Sequence, residues 1–141
     1  MKIDAVKIVE EVDRFSGGKL KEKKSLEFLI GLAIENDMMS LIDEIAFHSK
    51  FLWRIISFLK SGRGFKDVDE QKHKENLINQ MNEAVGKIQG LIFKLIERCD
   101  ASERENFVSK FLKVEPQSFE NFLNLVYDFY WLKNWKIDNE G

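Results

Sequence analysis

Apolar residues in the second half of this chain recur at alternating intervals of three and four positions, and this spacing constrains the fold more than any other feature. It runs through seven residues: Ile78, Met81, Val85, Ile88, Ile92, Leu95 and Cys99. Three heptads of this kind place a narrow apolar seam along one helix, which suits packing in an antiparallel bundle. No stretch of useful length alternates apolar and polar residues as a strand would. We therefore predict an all-α, mainly antiparallel bundle of five or six helices, forming a single domain over residues 1–141.

Local start and stop signals divide the chain into six predicted helices. The Ser16-Gly17-Gly18 turn ends the first helix, and Pro116 fits the first turn of the last. Ser102 and Glu105 form a capping box for a short fifth helix. The predicted helices cover residues 2–15, 25–36, 40–60 and 78–99, with the last two starting at 102 and 116.

The sequence leaves two helix boundaries ambiguous. The helical spacing of apolar residues continues almost without interruption across residues 35–39. The second and third helices are therefore either one long bent helix or two separate ones. The polar run Glu35-Asn36-Asp37 favours two. Residues 61–76 are the clearest connection between helices because they are polar and contain two glycines. The second half of that connection is compatible with a solvated helix.

The C-terminal segment 119–137 is unusually apolar for a surface helix. It holds twelve apolar residues in nineteen, seven of them aromatic. Trp131 and Trp135, one turn apart, fall with Asp128 on the side opposite the main apolar stripe. These rings need a cover: another helix of the same chain, a second copy or a partner protein. We predict that Trp131, Trp135 and Asp128 form an interaction surface on the outer face of this helix.

A second candidate patch lies on the fourth helix, opposite its apolar seam. Gly86 and Gly90, one turn apart, share that side with Phe93. A glycine inside a helix costs about 1 kcal/mol relative to alanine, so two of them call for a reason. Either another backbone approaches closely there, or the glycines are tolerated on an exposed face.

His48 and Glu44, one turn apart on the third helix, are the candidate polar site. His48 falls within the apolar stripe of that helix, where a buried imidazole beside a carboxylate suits a general base or a ligand-binding group. A structural histidine whose ring nitrogen is hydrogen-bonded is the alternative, and we favour it.

Composition disfavours metal, cofactor and nucleic-acid functions. Two histidines and one cysteine are too few for the carboxylate–histidine or zinc sites of helical bundles, so we expect no metal and no cofactor. The glycine clusters do not match phosphate-loop spacing. The formal net charge is −2 and the basic residues are scattered among acids, which gives no reason to expect nucleic acid.

The sequence also points away from membranes and export. The longest apolar segment, residues 41–59, contains five charged or histidine residues and is a poor membrane span. The first residues carry acids where a secretory signal would carry an apolar core. The single cysteine, Cys99, forms no internal disulfide, so we expect a cytoplasmic location.

These features favour a non-catalytic protein–protein interaction or regulatory module that self-associates through its aromatic C-terminal helix. The expected partner is a protein or a second copy of the chain, since either would cover exposed aromatic rings. The alternative is a bundle that binds a small apolar ligand, or performs chemistry, around Glu44 and His48.

Overall fold

The computed structural model describes residues 4–61 and 69–140, and helices joined by short turns are the regular secondary structure over these ranges. Residues 62–68 of the predicted polar connection lie outside them. The fold class predicted from the sequence is confirmed, since the helices pack as one all-α bundle. In chain order the helices are α1 (Ala5–Phe15), α2 (Lys23–Glu35), α3 (Met39–Ser61), α4 (Glu70–Ile96), α5 (Ala101–Phe107), which continues into a π-helical turn (Val108–Leu112), and α6 (Pro116–Glu140).

Helix α1 ends as the sequence predicts. Gly17 and Gly18 adopt positive φ angles of 73° and 77°, a left-handed conformation that costs glycine little. The Gly18 amide N–H donates to the Asp13 carbonyl over 2.8 Å, which closes the last turn of the helix. The chain can therefore reverse direction toward α2.

Helices α2 and α3 are two separate helices, which settles the boundary that the sequence left open. Asp37 adopts a φ of 55° between them. The Met38 amide N–H donates back to the Ala33 carbonyl over 2.7 Å, so the last turn of α2 is satisfied before α3 begins. Aspartate tolerates the left-handed region better than most residues, and this explains why the break falls in the polar run.

The predicted capping box of α5 is wrong. Asp100, not Ser102, caps this helix, and its Oδ1 accepts a hydrogen bond from the Glu103 amide over 2.8 Å. Asp100 has the extended backbone of an N-cap residue, whereas Ser102 already lies inside the first turn.

Helix α3 is the centre of the bundle and packs against α2, α4 and α6. Fully buried aliphatic and phenylalanine side chains from these helices form one continuous core. Each fully buried side chain of this size contributes roughly 1.5–3 kcal/mol through the removal of apolar surface from water. The largest members on α3, α4 and α6 are Ile42, Ile45, Leu52, Ile88, Ile92, Leu95, Phe122 and Phe129.

Helix α4 starts earlier than its apolar seam, and residues 70–76 are helical and exposed on every side, as predicted for the second half of the polar connection. The ring of His73 packs edge-on against Phe58 of α3, with centroids 6.0 Å apart. Further along α4, residues 80–87 face Phe47 and Phe51 of α3. The pairing thus runs in opposite directions along the two helices, as in an antiparallel hairpin.

Candidate functional site

Asp128 is fully buried, so the prediction that it belongs to an outer surface is wrong. Its Oδ1 accepts a hydrogen bond from the Lys21 amide over 3.0 Å, and its Oδ2 accepts one from the Glu22 amide over 2.7 Å. Glu22 is the N-cap residue of α2, and its own side chain makes no capping bond. A carboxylate from α6 therefore binds the two backbone amides that lead into α2, and these amides have no partner within the helix.

The surroundings of Asp128 oppose its ionisation. Burial raises the pKa of its carboxyl group from 3.8 to about 6. The amide hydrogen bonds from Lys21 and Glu22 favour the charged form and limit the rise, whereas the carboxylates of Glu22 and Asp13 add to it. Desolvation dominates because little water reaches the group to stabilise a negative charge.

Trp131 is half-buried and is covered largely by its own chain. Its ring packs edge-on against Phe15 of α1 at 5.9 Å between centroids and against Tyr127 at 6.0 Å. The Lys19 Nζ lies 6.0 Å from the centre of the Trp131 ring. Trp135 is also half-buried and packs against the hydrophobic core. The sequence left three possible covers for these tryptophans: another helix of the same chain, a second copy or a partner protein. In the structure, other parts of the same chain cover most of both rings.

Trp131 also lines an open groove between α3 and α6, which we call the aromatic groove. It has a volume of about 500 Å³. Trp53 of α3 and Tyr127 of α6 line it and contact each other edge to face, with ring centroids 5.1 Å apart and planes at 74°. Its lining residues are Trp53, Arg54, Ser57, Phe58, Ser61, Tyr127, Tyr130 and Trp131.

A second hollow of about 330 Å³ shares Trp53 and Tyr127 with the aromatic groove and extends it toward Lys19 and Lys21. Among the residues whose side chains are described, no carboxylate lines either hollow. Lys19, Lys21 and Arg54 form no ion pair with a described residue. The described charged residues that line the two hollows are therefore all positive.

Sequence reasoning missed the aromatic groove, although a signal existed. Trp53, one of three tryptophans, falls beside Leu52 on α3 but outside the main apolar stripe, as Trp131 does on α6. Two such rings on different helices suggest a shared seam. Only the packing of α3 on α6 shows that they meet.

A second exposed surface lies on α3 and α4. Phe47 is 58% exposed and Phe51 is 41% exposed, and both line a shallow groove of about 290 Å³ against α4. On α4 the exposed Gly86, Gly90 and Phe93 follow one another at intervals of four and three residues, so they share one side of the helix. We call these five residues the phenylalanine face.

The α3 part of this face and its α4 part are neighbours. Glu83 and Lys87 of α4 line the groove beside Phe47 and Phe51, and each lies three residues before one of the two glycines. A methyl group added at Gly86 or Gly90 would meet no atom within 4 Å. Among the described residues, no other helix comes close enough to either glycine to explain its presence.

His48 lies at the wall of this shallow groove, half-buried, rather than inside the core as its sequence position suggested. Burial lowers the pKa of its imidazole, and Lys87 lowers it further, whereas Glu44 opposes the shift. Glu44 is exposed, and no hydrogen bond joins it to His48 in the described chain. The described interaction between the two residues is therefore one of charge alone.

Comparison with known proteins offers no relative: no family model matches the chain, and neither a curated protein nor a solved structure matches it significantly. Among residues 4–61 and 69–135, whose side chains are described, no three histidine, cysteine, aspartate or glutamate side chains come together as a metal site requires. None of the helices in these ranges is long and apolar enough to cross a membrane.

Proposed function

We propose that this chain is a non-catalytic, cytoplasmic interaction module that self-associates through the phenylalanine face. One observation carries the proposal: Phe47, Phe51 and Phe93 are each more than 40% exposed on two neighbouring helices. Scattered exposed apolar residues are normal, but a contiguous aromatic patch is typical of an interaction surface. Phe47 and Phe51 are one turn apart and line the same groove, so they form such a patch.

A second copy of the chain suits this face better than a strongly charged partner does. Both signs of charge border the groove, with Glu44 and Glu83 beside Lys87. In a two-fold symmetric contact each patch meets its own copy, so a patch of mixed charge can pair acids with bases. The open space above Gly86 and Gly90 would let a helix of the second copy approach closely.

The C-terminal helix is the less suitable interface. Its tryptophans are partly covered by α1 and by the core, and its buried Asp128 is engaged with α2. The positively charged groove beside Trp131 would bring like charges together in a symmetric contact. We therefore place self-association on α3 and α4 instead.

Light scattering on a sizing column, over a wide range of concentration, tests the proposal. The wild-type mass should rise from 16.6 kDa toward twice that value. The double variant Phe47→Glu/Phe51→Glu should weaken association at least about 30-fold, because central aromatic residues of an interface each contribute about 2 kcal/mol or more.

Phe119→Glu is the matched control for this experiment. Phe119 has a similarly exposed ring, at 44%, but lies at the start of α6 and outside the phenylalanine face. This variant should associate like the wild type. A wild-type mass that stays at 16.6 kDa, or a double variant that associates normally, would reject the proposal.

The glycines give a separate prediction with opposite effects on folding and association. Gly86→Ala and Gly90→Ala should each raise the free energy of unfolding by about 1 kcal/mol, because alanine favours the helix and the added methyl group meets no atom. The same changes should weaken association, since they fill the space that a second helix needs. Urea unfolding in the Phe47→Glu/Phe51→Glu background measures the change in the free energy of unfolding without interference from association. Light scattering on the alanine variants in the wild-type background measures the change in association. Association unchanged by alanine at both positions would remove the glycines from the interface.

A further inference from the structure

We infer that the aromatic groove binds a small aromatic anion, a molecule with a flat apolar body and one carboxylate or sulfonate group. The groove volume of about 500 Å³ falls within the roughly 300–1,000 Å³ that is typical of small-molecule sites. Such sites are mostly apolar and hold a few polar groups that orient the ligand. This site is distinct from the phenylalanine face and does not depend on self-association.

The rings that line the groove brace one another. Tyr127 stands at its centre and meets Trp53 at 74° and Trp131 at 89°. Tyr130 lies nearly parallel to Tyr127, at 16° with centroids 6.0 Å apart. Edge-to-face contacts of this kind fix the rings in place and leave flat faces for a further ring to stack on. The apolar body of the ligand is therefore expected to be planar.

The charge of the groove selects an anion. Arg54 lies on the lining of the groove, and Lys19 and Lys21 lie in the hollow that extends it. The whole chain has more acids than bases, 24 against 22, yet no described carboxylate lines either hollow. A guanidinium group without an ion pair is well suited to bind a carboxylate or sulfonate with two parallel hydrogen bonds.

The unused hydrogen-bonding groups here are also donors. The indole N–H groups of Trp53 and Trp131 have no acceptor among the described residues and are covered by neighbouring atoms. An unsatisfied buried donor is unfavourable, and an indole can only donate. Both tryptophans line the groove, so their indole N–H groups are unpaired donors beside it, and an oxygen of an anion is the kind of atom that accepts from such a donor.

A second copy of the chain is a poor occupant of this groove. The charged residues described on the walls of the groove and of the adjoining hollow, namely Arg54, Lys19 and Lys21, are all positive, so a symmetric contact would place like charges opposite each other. A neutral apolar ligand would leave Arg54 without a partner. The combination of stacked rings and positive charge therefore favours an aromatic anion over either alternative.

Fluorescence titration of the full chain with two related probes tests this inference. Anilinonaphthalene sulfonate is an aromatic anion, and N-phenylnaphthylamine has the same ring skeleton without the sulfonate. We expect one sulfonate probe per chain, bound at least about tenfold more tightly than the neutral probe, as one charge-assisted hydrogen bond would give. Arg54→Gln should remove most of that preference and leave the neutral probe within about twofold of its wild-type affinity. Trp53→Ala should weaken both probes.

Matched variants make the outcome decisive. Arg98→Gln removes the same charge from the turn after α4, away from both hollows, and should change neither affinity. The Phe47→Glu/Phe51→Glu variant should bind the sulfonate probe normally, which separates this site from the phenylalanine face. Equal affinity for the two probes, or an Arg54→Gln variant with unchanged anion binding, overturns the inference. Probe binding that is lost as the chain self-associates also overturns it, because a second copy would then occupy the groove.

Discussion

The stability advantage of the wild type over an Asp128→Asn variant should shrink by about 2 kcal/mol as the pH rises from about 4 to about 7. The folded chain holds a proton on Asp128 up to about pH 6, whereas the unfolded chain releases it near the ordinary pKa of 3.8. Between these two values the folded state binds more protons than the unfolded state. Raising the pH through this window therefore lowers the free energy of unfolding, and above it the contribution of Asp128 is constant.

The asparagine variant isolates this contribution because it keeps the shape of the side chain and cannot lose a proton. Asp13 and Glu22, the carboxylates that act on Asp128, are present in both proteins, as are their ion-pair partners Lys23 and Lys110. Wild type and variant therefore differ only in the side chain at position 128.

Urea unfolding followed by circular dichroism at four or five pH values between 4 and 7 provides the measurement. Glu120→Gln is the control, since it removes an exposed carboxylate from the same helix. This variant should follow the wild-type pH dependence. A difference between Asp128→Asn and wild type that does not change with pH would mean that Asp128 has no raised pKa in the folded chain.

The fold could be predicted from the sequence because its signals are local. The glycines after α1 and the polar run after α2 end helices through their own backbone conformations, and a 3.6-residue period marks each buried side. These signals involve residues within a few positions of each other. The long-range packing of the bundle then follows from the need to bury the apolar sides.

The environment of Asp128 could not be predicted in the same way. A helical wheel divides α6 into an apolar side and the rest, and Asp128 falls with the rest. Its hydrogen-bond partners are backbone amides 106 and 107 residues earlier, and a backbone amide has no signature in the sequence. The same limit applies to Trp131, because only the packing of α1 on α6 shows that Phe15 covers it.

Trp131→Ala should lower the free energy of unfolding by about 2–3 kcal/mol, which is below the range for a fully buried tryptophan because the ring is half-exposed. The variant loses ring contacts with Phe15, Tyr127 and Tyr130. Its self-association, measured at a pH and temperature where it stays folded, should remain within about twofold of the wild type, since Trp131 lies outside the phenylalanine face. Trp131→Phe should recover most of the stability because it keeps an aromatic ring against α1.

Phe93→Ala gives the reciprocal result if the phenylalanine face is the interface. Its ring is 42% exposed on α4, so its loss should change the free energy of unfolding by no more than about 0.5 kcal/mol while association weakens. Urea unfolding and light scattering on both variants give four measurements. An interface on the phenylalanine face and an interface on α6 predict different combinations of lost stability and lost association. If Trp131→Ala unfolds like the wild type but no longer associates, the interface lies on α6 and the proposed face on α3 and α4 is wrong. If Trp131→Ala loses stability and Phe93→Ala loses association, the tryptophan holds α1 against α6 and the phenylalanine holds two copies together.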